Sequence, residues 1–336
     1  MIQFSIFRYQ LVPQESLNSV AGVAPRSGVL LRMRWPDHKI GYADLMPWPE
    51  FGDPKLEEHL EKLSKGHLTQ LMEQSIWLGH LDAMARSKGI HILDGVPKMK
   101  NHYTITDISA ISDSHLKSAK TGGFRTLKVK VGRDWTSEAK WLIPVMEQYP
   151  FKIRLDFNST SDFSTFERML TAIPAGLRRK IEYVEDPFRF DIETWTEAAK
   201  LAPLAVDFEY ANVPWSDIGG ELPFAYLVLK PARQDVDQVM RKIVRYGLKV
   251  SVSSSMDHTV GVVHALAIAG QLKSHIGSQL VESGCLTTRL YRGDPFSSRL
   301  MQQGPFLTKP EGTGIGFDDL FAALDWEEFP LLTRAK

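Results

Sequence analysis

A single cysteine, Cys285, in 336 residues excludes an internal disulfide and any cysteine-rich zinc site, and fits a reducing compartment, with the cytosol as the expected one. Net charge is also missing. Forty basic side chains against 40 acidic ones leave no global field to draw nucleic acid or anionic lipid. No basic run with interleaved aromatics occurs, so nucleic-acid binding is not expected. The longest apolar run, Val260 to Ala269, contains His264 and is about half of the roughly 20 residues that span a bilayer, so no membrane segment is expected either. The opening MIQFSIFRYQLVPQ alternates apolar with polar residues, which reads as a strand and lacks the features of a signal peptide. What the chain does have is a hydrophobic content of 43%, enough for the core of one large domain or two unequal ones.

Residues 1–100 read as a compact α+β unit. Strand-like alternation at Ile2 to Tyr9, Val29 to Trp35 and Ile40 to Asp44 precedes helically spaced leucines from Leu56 to Leu71 and a second helical stretch from Ser75 to Arg86. After Pro97 short β segments alternate with helical stretches: Tyr103 to Thr106, Thr126 to Val131, Ile153 to Phe157, Tyr183 to Glu185, Leu204 to Glu209, Tyr226 to Lys230, Lys249 to Ser253 and Ser278 to Glu282. Strict βα alternation implies a parallel sheet with right-handed crossovers, and eight units over 101–305 favour a closed TIM-like barrel over an open doubly wound sheet. The open sheet would need a Gly-rich phosphate loop after its first strand, and none is there. Gly312, Gly314 and Gly316 mimic such a loop without a preceding strand; 306–336 is read as a segment returning to the first unit.

In a parallel barrel, functional groups sit at the C-terminal ends of strands. T-L-K-V-K-V puts Lys128 and Lys130 on the same, inward face of one strand. The next strands end in Asp156, then Glu185 and Asp186, then D-F-E-Y, then Lys230. Asp156, Glu185 and Asp207 form a trio of oxygen ligands suited to a hard cation such as Mg²⁺, with Glu209 as the alternative third ligand. Asp207 is preferred because it follows L-A-V directly.

Each residue has a plainer reading. A charge at a strand end is commonly solvated or half of a salt bridge, Asp186 before Pro187 can initiate a turn, and Lys128 can pair with Glu185 as a barrel-core ion pair. His258 and His264 read as loop or core residues, the latter satisfied by one internal hydrogen bond. A barrel without turnover is the alternative of a different class. Against it stands the order of lysines, acid, acid, acid, lysine on five successive strands. That order suits removal of a proton α to a carboxylate: a cation offsets the second negative charge, and a lysine with a lowered pKa is the base.

These motifs resemble the enolase superfamily, muconate-lactonising subgroup, over nearly the whole chain. K-V-K resembles its Lys-x-Lys motif, R-L-D-F-N and V-E-D-P-F its metal motifs, Gly41 to Trp48 its capping stretch, and Ser251 to Met256 a loop that offers donors to a substrate carboxylate. The resemblance implies a (β/α)7β TIM-like barrel at 101–305 and an α+β capping domain at 1–100, completed by 306–336. It implies Mg²⁺ on Asp156, Glu185 and Asp207, Lys130 as base, Lys230 opposite it, and Lys128 lowering the pKa of Lys130. Asn158 and Asp186 become supporting groups, Ser254 and Ser255 substrate-binding groups, and Arg154 either a substrate support or an ordinary salt bridge. The implied substrate is a small carboxylate, a succinyl-bearing hydroxycyclohexadiene acid that loses water, with N-succinylamino acid racemisation or cycloisomerisation as alternatives. The subgroup's epimerases carry an Asp-x-Asp pair where this chain has Ser253, Ser254, Ser255, Met256 and Asp257, which argues against an aminoacyl substrate. The amphipathic outer helices look the same whether they meet water or a partner, so oligomeric state is left open.

Overall fold

The computed structural model describes residues 2–17, 22–216 and 221–330. The first unit is an antiparallel sheet of β1 (Gln3–Leu11), β2 (Arg26–Arg34) and β3 (Ile40–Leu45), backed by the helices α1 (Leu56–Ser64) and α2 (Gln70–Ser87). A Cβ on Gly41 would lie 2.0 Å from the Gly79 carbonyl oxygen, so β3 and α2 touch through bare backbone and need glycine there. The terminal strand Glu327–Phe329 pairs antiparallel with β1, Phe4 opposite Phe329.

The glycines of 312–316 serve packing. Asp82 on α2 accepts from the backbone N–H groups of Tyr42 and Ile315, both at 2.7 Å, and from Arg86 Nε at 2.7 Å. A Cβ on Gly314 would fall 1.9 Å from the Asp82 carboxylate. The tail is thus stitched to the first unit through one buried acid whose oxygens are satisfied.

Seven parallel strands follow in chain order: β4 (Tyr103–Ile105), β5 (Thr126–Lys130), β6 (Lys152–Asp156), β7 (Ile181–Glu185), β8 (Leu204–Val206), β9 (Tyr226–Leu229) and β10 (Lys249–Val252). The helix Val236–Tyr246 shows how the crossovers form. Asp235 caps its first turn through Gln238 N, Gly247 ends it at φ 65°, and Val236, Val239 and Ile243 face inward. Val244, one residue beyond Ile243, falls off that face and is 70% exposed.

Two strand readings need correction. Ser278 to Glu282 is no regular strand; single parallel bridges join Leu280 to Val250, Gly284 to Ser253 and Ser283 to Asn101. These contacts close the barrel between β10 and β4 with little ladder. The segment expected at Leu204 to Glu209 stops at Val206, because the Asp186 carboxylate accepts from the N–H groups of Asp207 at 3.0 Å and Phe208 at 2.6 Å. That capture turns the chain into the short 3₁₀ helix Phe208–Asn212.

Candidate active site

A cavity opens where the C-terminal ends of the barrel strands meet the first unit, lined by Lys128, Lys130, Asp156, Asp207 and Lys230 among others. Period-two geometry turns both β5 lysines inward, at 8% and 7% exposure. The ladder sets Lys130 beside Asp156 and Asp156 beside Glu185, so the charges are neighbours by register.

Lys128 Nζ lies 2.6 Å from Glu185 and 3.0 Å from Asp156, whereas Lys130 Nζ is 3.8 Å from Asp156. Lys230 pairs with Asp207. Burial works against the charge on Lys128, but Asp156 and Glu185 outweigh it and hold its pKa well above the ordinary value. Burial, foremost, pushes the Lys130 pKa down; Asp156 opposes, while Lys128 and Lys230 push the same way. The two lysines of one strand therefore differ: Lys128 is held as a cation by two acids, whereas the Lys130 ammonium is disfavoured. Burial, with Asp156 and Asp207 close by, pushes Glu185 up to about 8. Asp156, though buried, is held below its ordinary range by Lys128 and Lys130.

Glu209, the alternative third ligand, is occupied elsewhere: it accepts from Ser159 Oγ, Phe190 N and Asn212 Nδ2, each at 2.8 Å. Asp186, at φ 40°, spends its carboxylate on the backbone of Asp207 and Phe208. Asn158 lines the cavity, and its N–H donates to Asp156 at 3.1 Å.

The first unit roofs the cavity with Trp48 and Phe51. Trp48 Nε1 donates to the Ser255 carbonyl at 2.9 Å, Arg26 lies 3.9 Å over its ring, and Asp53 is clamped by Arg233 at 2.7 Å. The roof thereby holds the Ser253–Met256 loop. Ser254 bonds Thr287 Oγ1 at 2.6 Å, and among the described residues the buried Ser255 hydroxyl has no hydrogen-bond partner. Arg154 is fully buried beneath the cavity, where it donates to Glu182, His102, Ser251 and the Glu282 carbonyl. His102, Thr287 and Gly284 line the cavity without any signal in the sequence motifs.

His258 caps the helix Thr259–Ile276 through Val260 N and stays neutral, burial lowering its pKa to about 4. His264 lies in the core against the Leu78 backbone, and among the described residues neither ring nitrogen has a hydrogen-bond partner of ordinary geometry.

Behind the loop, Asp44 accepts from Tyr9 Oη at 2.5 Å and His258 N at 2.9 Å, while among the described residues neither oxygen of buried Asp257 has a hydrogen-bond partner of ordinary geometry. Burial raises Asp257 to about 7 and, with Asp257 adding, Asp44 to about 8. Both acids bind protons more readily folded than unfolded, so the stability they permit is complete below about pH 4 and is lost as pH climbs through 7 to 8. The melting temperature is expected to fall across that window, and Asp257→Asn is expected to flatten the fall. Equal slopes for both proteins in calorimetry contradict this.

Residues 4–85 match the family model described as O-succinylbenzoate synthase, N-terminal domain. An o-succinylbenzoate synthase of Bdellovibrio bacteriovorus is 45% identical over 326 residues, covering 97% of this chain and 98% of that protein. Among solved structures, a muconate lactonizing enzyme from Mycobacterium smegmatis superposes with a TM-score of 0.76 at 16% identity, covering 96% of this chain and 98% of that one. A dipeptide epimerase from Cytophaga hutchinsonii, complexed with Mg and a dipeptide, gives 0.73 at 17% identity, covering 98% and 100%. At such identities the structures show a common fold, a capped TIM-like barrel.

Proposed function

The chain belongs to the o-succinylbenzoate synthase family, and on that premise we propose that it is a carbon–oxygen lyase converting 2-succinyl-6-hydroxy-2,4-cyclohexadiene-1-carboxylate to o-succinylbenzoate, a step of menaquinone biosynthesis. The observation that carries this reading is the placement of Lys130 at the end of β5 and Lys230 directly after β9, on either side of Asp156 and Glu185 at the ends of β6 and β7 and Asp207 directly after β8. We place the enzyme in the cytosol, in keeping with its one free, buried cysteine.

Asp156, Glu185 and Asp207 fit a divalent cation such as Mg²⁺. All three offer hard oxygen donors, and Glu185 pushed up to about 8 marks a crowding of acids that positive charge relieves. Among the described residues no three such side chains converge as a ready cage, since lysines hold these carboxylates. When bound, the ion would offset the second negative charge that builds on the substrate carboxylate.

Lys130, neutral, takes the proton α to the carboxylate; the electron pair forms the ring double bond as the C–O bond breaks. Lys130 then hands the proton to the departing hydroxide, which leaves as water. Lys230, from the other side, supports the developing charge as a cation, and Lys128 adds its repulsion to the burial that lowers the Lys130 pKa. Ser254 and Ser255 serve the substrate's far end. Asp186 acts through the backbone of Asp207; Asp186→Ala is expected to weaken Mn²⁺ affinity about 10–100-fold in calorimetry, and unchanged affinity contradicts the role.

Lysines on both sides of the cavity also suit racemisation of an N-succinylamino acid, which needs a base on each face. The two readings separate in D₂O. Formation of o-succinylbenzoate from the cyclohexadiene acid supports the synthase; α-deuteration of N-succinylamino acids without that product supports the racemase.

A further inference from the structure

Arg154 and His102 form a buried pair that the steps above leave unused. Arg154 Nη1 lies 2.8 Å from His102 Nδ1. A guanidinium only donates, so Nδ1 must accept, and the proton of the neutral ring resides on Nε2. Burial, foremost, and then Arg154 and Lys128 disfavour a second proton. Among the described residues Nε2 has no hydrogen-bond partner, although His102 lines the cavity. The ring edge is bared by Gly284: a Cβ there would sit 2.7 Å from His102 Cε1 and 3.1 Å from Nε2.

The position is set by the barrel. The closing segment that carries Gly284 lies between β10 and β4, across the barrel from β7, whereas the carboxylate trio lies on β6, β7 and the end of β8. A substrate whose ring carboxylate faces the trio extends its other substituent toward Gly284, Ser254 and Thr287.

We propose that His102 is a further substrate-binding residue, its Nε2–H donating to an oxygen of the substrate's succinyl arm, with Arg154 as the positioning residue that fixes ring and tautomer. The proposal rests on the synthase reading. A neutral donor held from behind by a permanent cation binds an oxygen without adding a competing positive charge near the base. Because the partner group is left unpaired when the arm's oxygens are absent, His102 also selects for succinyl-bearing acids.

The test is titration calorimetry of the whole protein with Mg²⁺, using o-succinylbenzoate and 2-pentylbenzoate, which lacks the arm's oxygens. His102→Phe is expected to lose about 10–100-fold in affinity for the first and little for the second, with His102→Gln, which keeps a donor near Nε2, regaining most of it. In turnover the KM should rise more than kcat falls. Nitrogen-15 NMR of the wild-type ring should show the proton on Nε2 and a shift of that signal on saturation with o-succinylbenzoate, and this reading does not depend on any variant folding. Arg154→Met should erase the tautomer preference and Arg154→Lys retain it. Wild-type binding that His102→Phe leaves unchanged, or a proton found on Nδ1, overturns this proposal alone. Failure of the wild type to bind o-succinylbenzoate overturns the synthase reading with it.

Discussion

Lys130→Ala is expected to lower kcat by about 10²–10⁴-fold while leaving o-succinylbenzoate affinity within a few-fold of wild type, because the side chain is required only when the proton moves. Its removal should cost little stability: its acidic neighbour Asp156 is 3.8 Å away and keeps Lys128 at 3.0 Å. The pH profile gives a second reading. The base must be uncharged, so kcat/KM should rise with pH and level off below the ordinary lysine value of 10.5, since burial and the neighbouring cations lower this pKa. Lys230→Ala should also lower turnover steeply and, because Lys230 is one of the cations that lower the Lys130 pKa, move the inflection of the residual activity upward. A Lys130→Ala protein with near wild-type kcat removes the base from this residue.

The second large effect concerns the acids. Asp156→Asn and Glu185→Gln are each expected to lower divalent-ion affinity by more than the roughly 10–100-fold that loss of a supporting partner costs, read as Mn²⁺ binding by calorimetry or electron paramagnetic resonance. Turnover should fall in parallel. Glu185→Gln also frees Lys128 from its 2.6 Å partner and leaves Asp156 as its remaining acid. The Lys130 inflection should then shift as the balance of charge around it changes. Wild-type Mn²⁺ affinity in both variants separates these carboxylates from the cation.

Much of the site could be read from sequence because strand period and barrel topology tie residue order to place. Lys128 and Lys130 had to share a face, and acids ending consecutive parallel strands had to meet at one rim. From sequence, Asp207 over Glu209 is only a preference, because the local bend carries no periodic signal: the Asp186 carboxylate turns the chain at Asp207, and Glu209 caps neighbouring loops. Arg154 shows the limit. Its place on the strand was legible, but its length carries the guanidinium across the barrel floor to His102 and the Glu282 carbonyl. His102 carries no strand-end signal, because it precedes β4, and only the stagger of the barrel brings the start of that strand level with Ser253 and Gly284. Closure itself runs through isolated bridges, which carry no period to detect.

The most direct test of the central claim is the appearance of o-succinylbenzoate absorbance when purified protein meets the cyclohexadiene acid, first with Mg²⁺ and then with EDTA. Rapid turnover is expected with the ion, with loss on chelation and return when Mg²⁺ is restored. Folded, ion-loaded protein that forms no o-succinylbenzoate contradicts it.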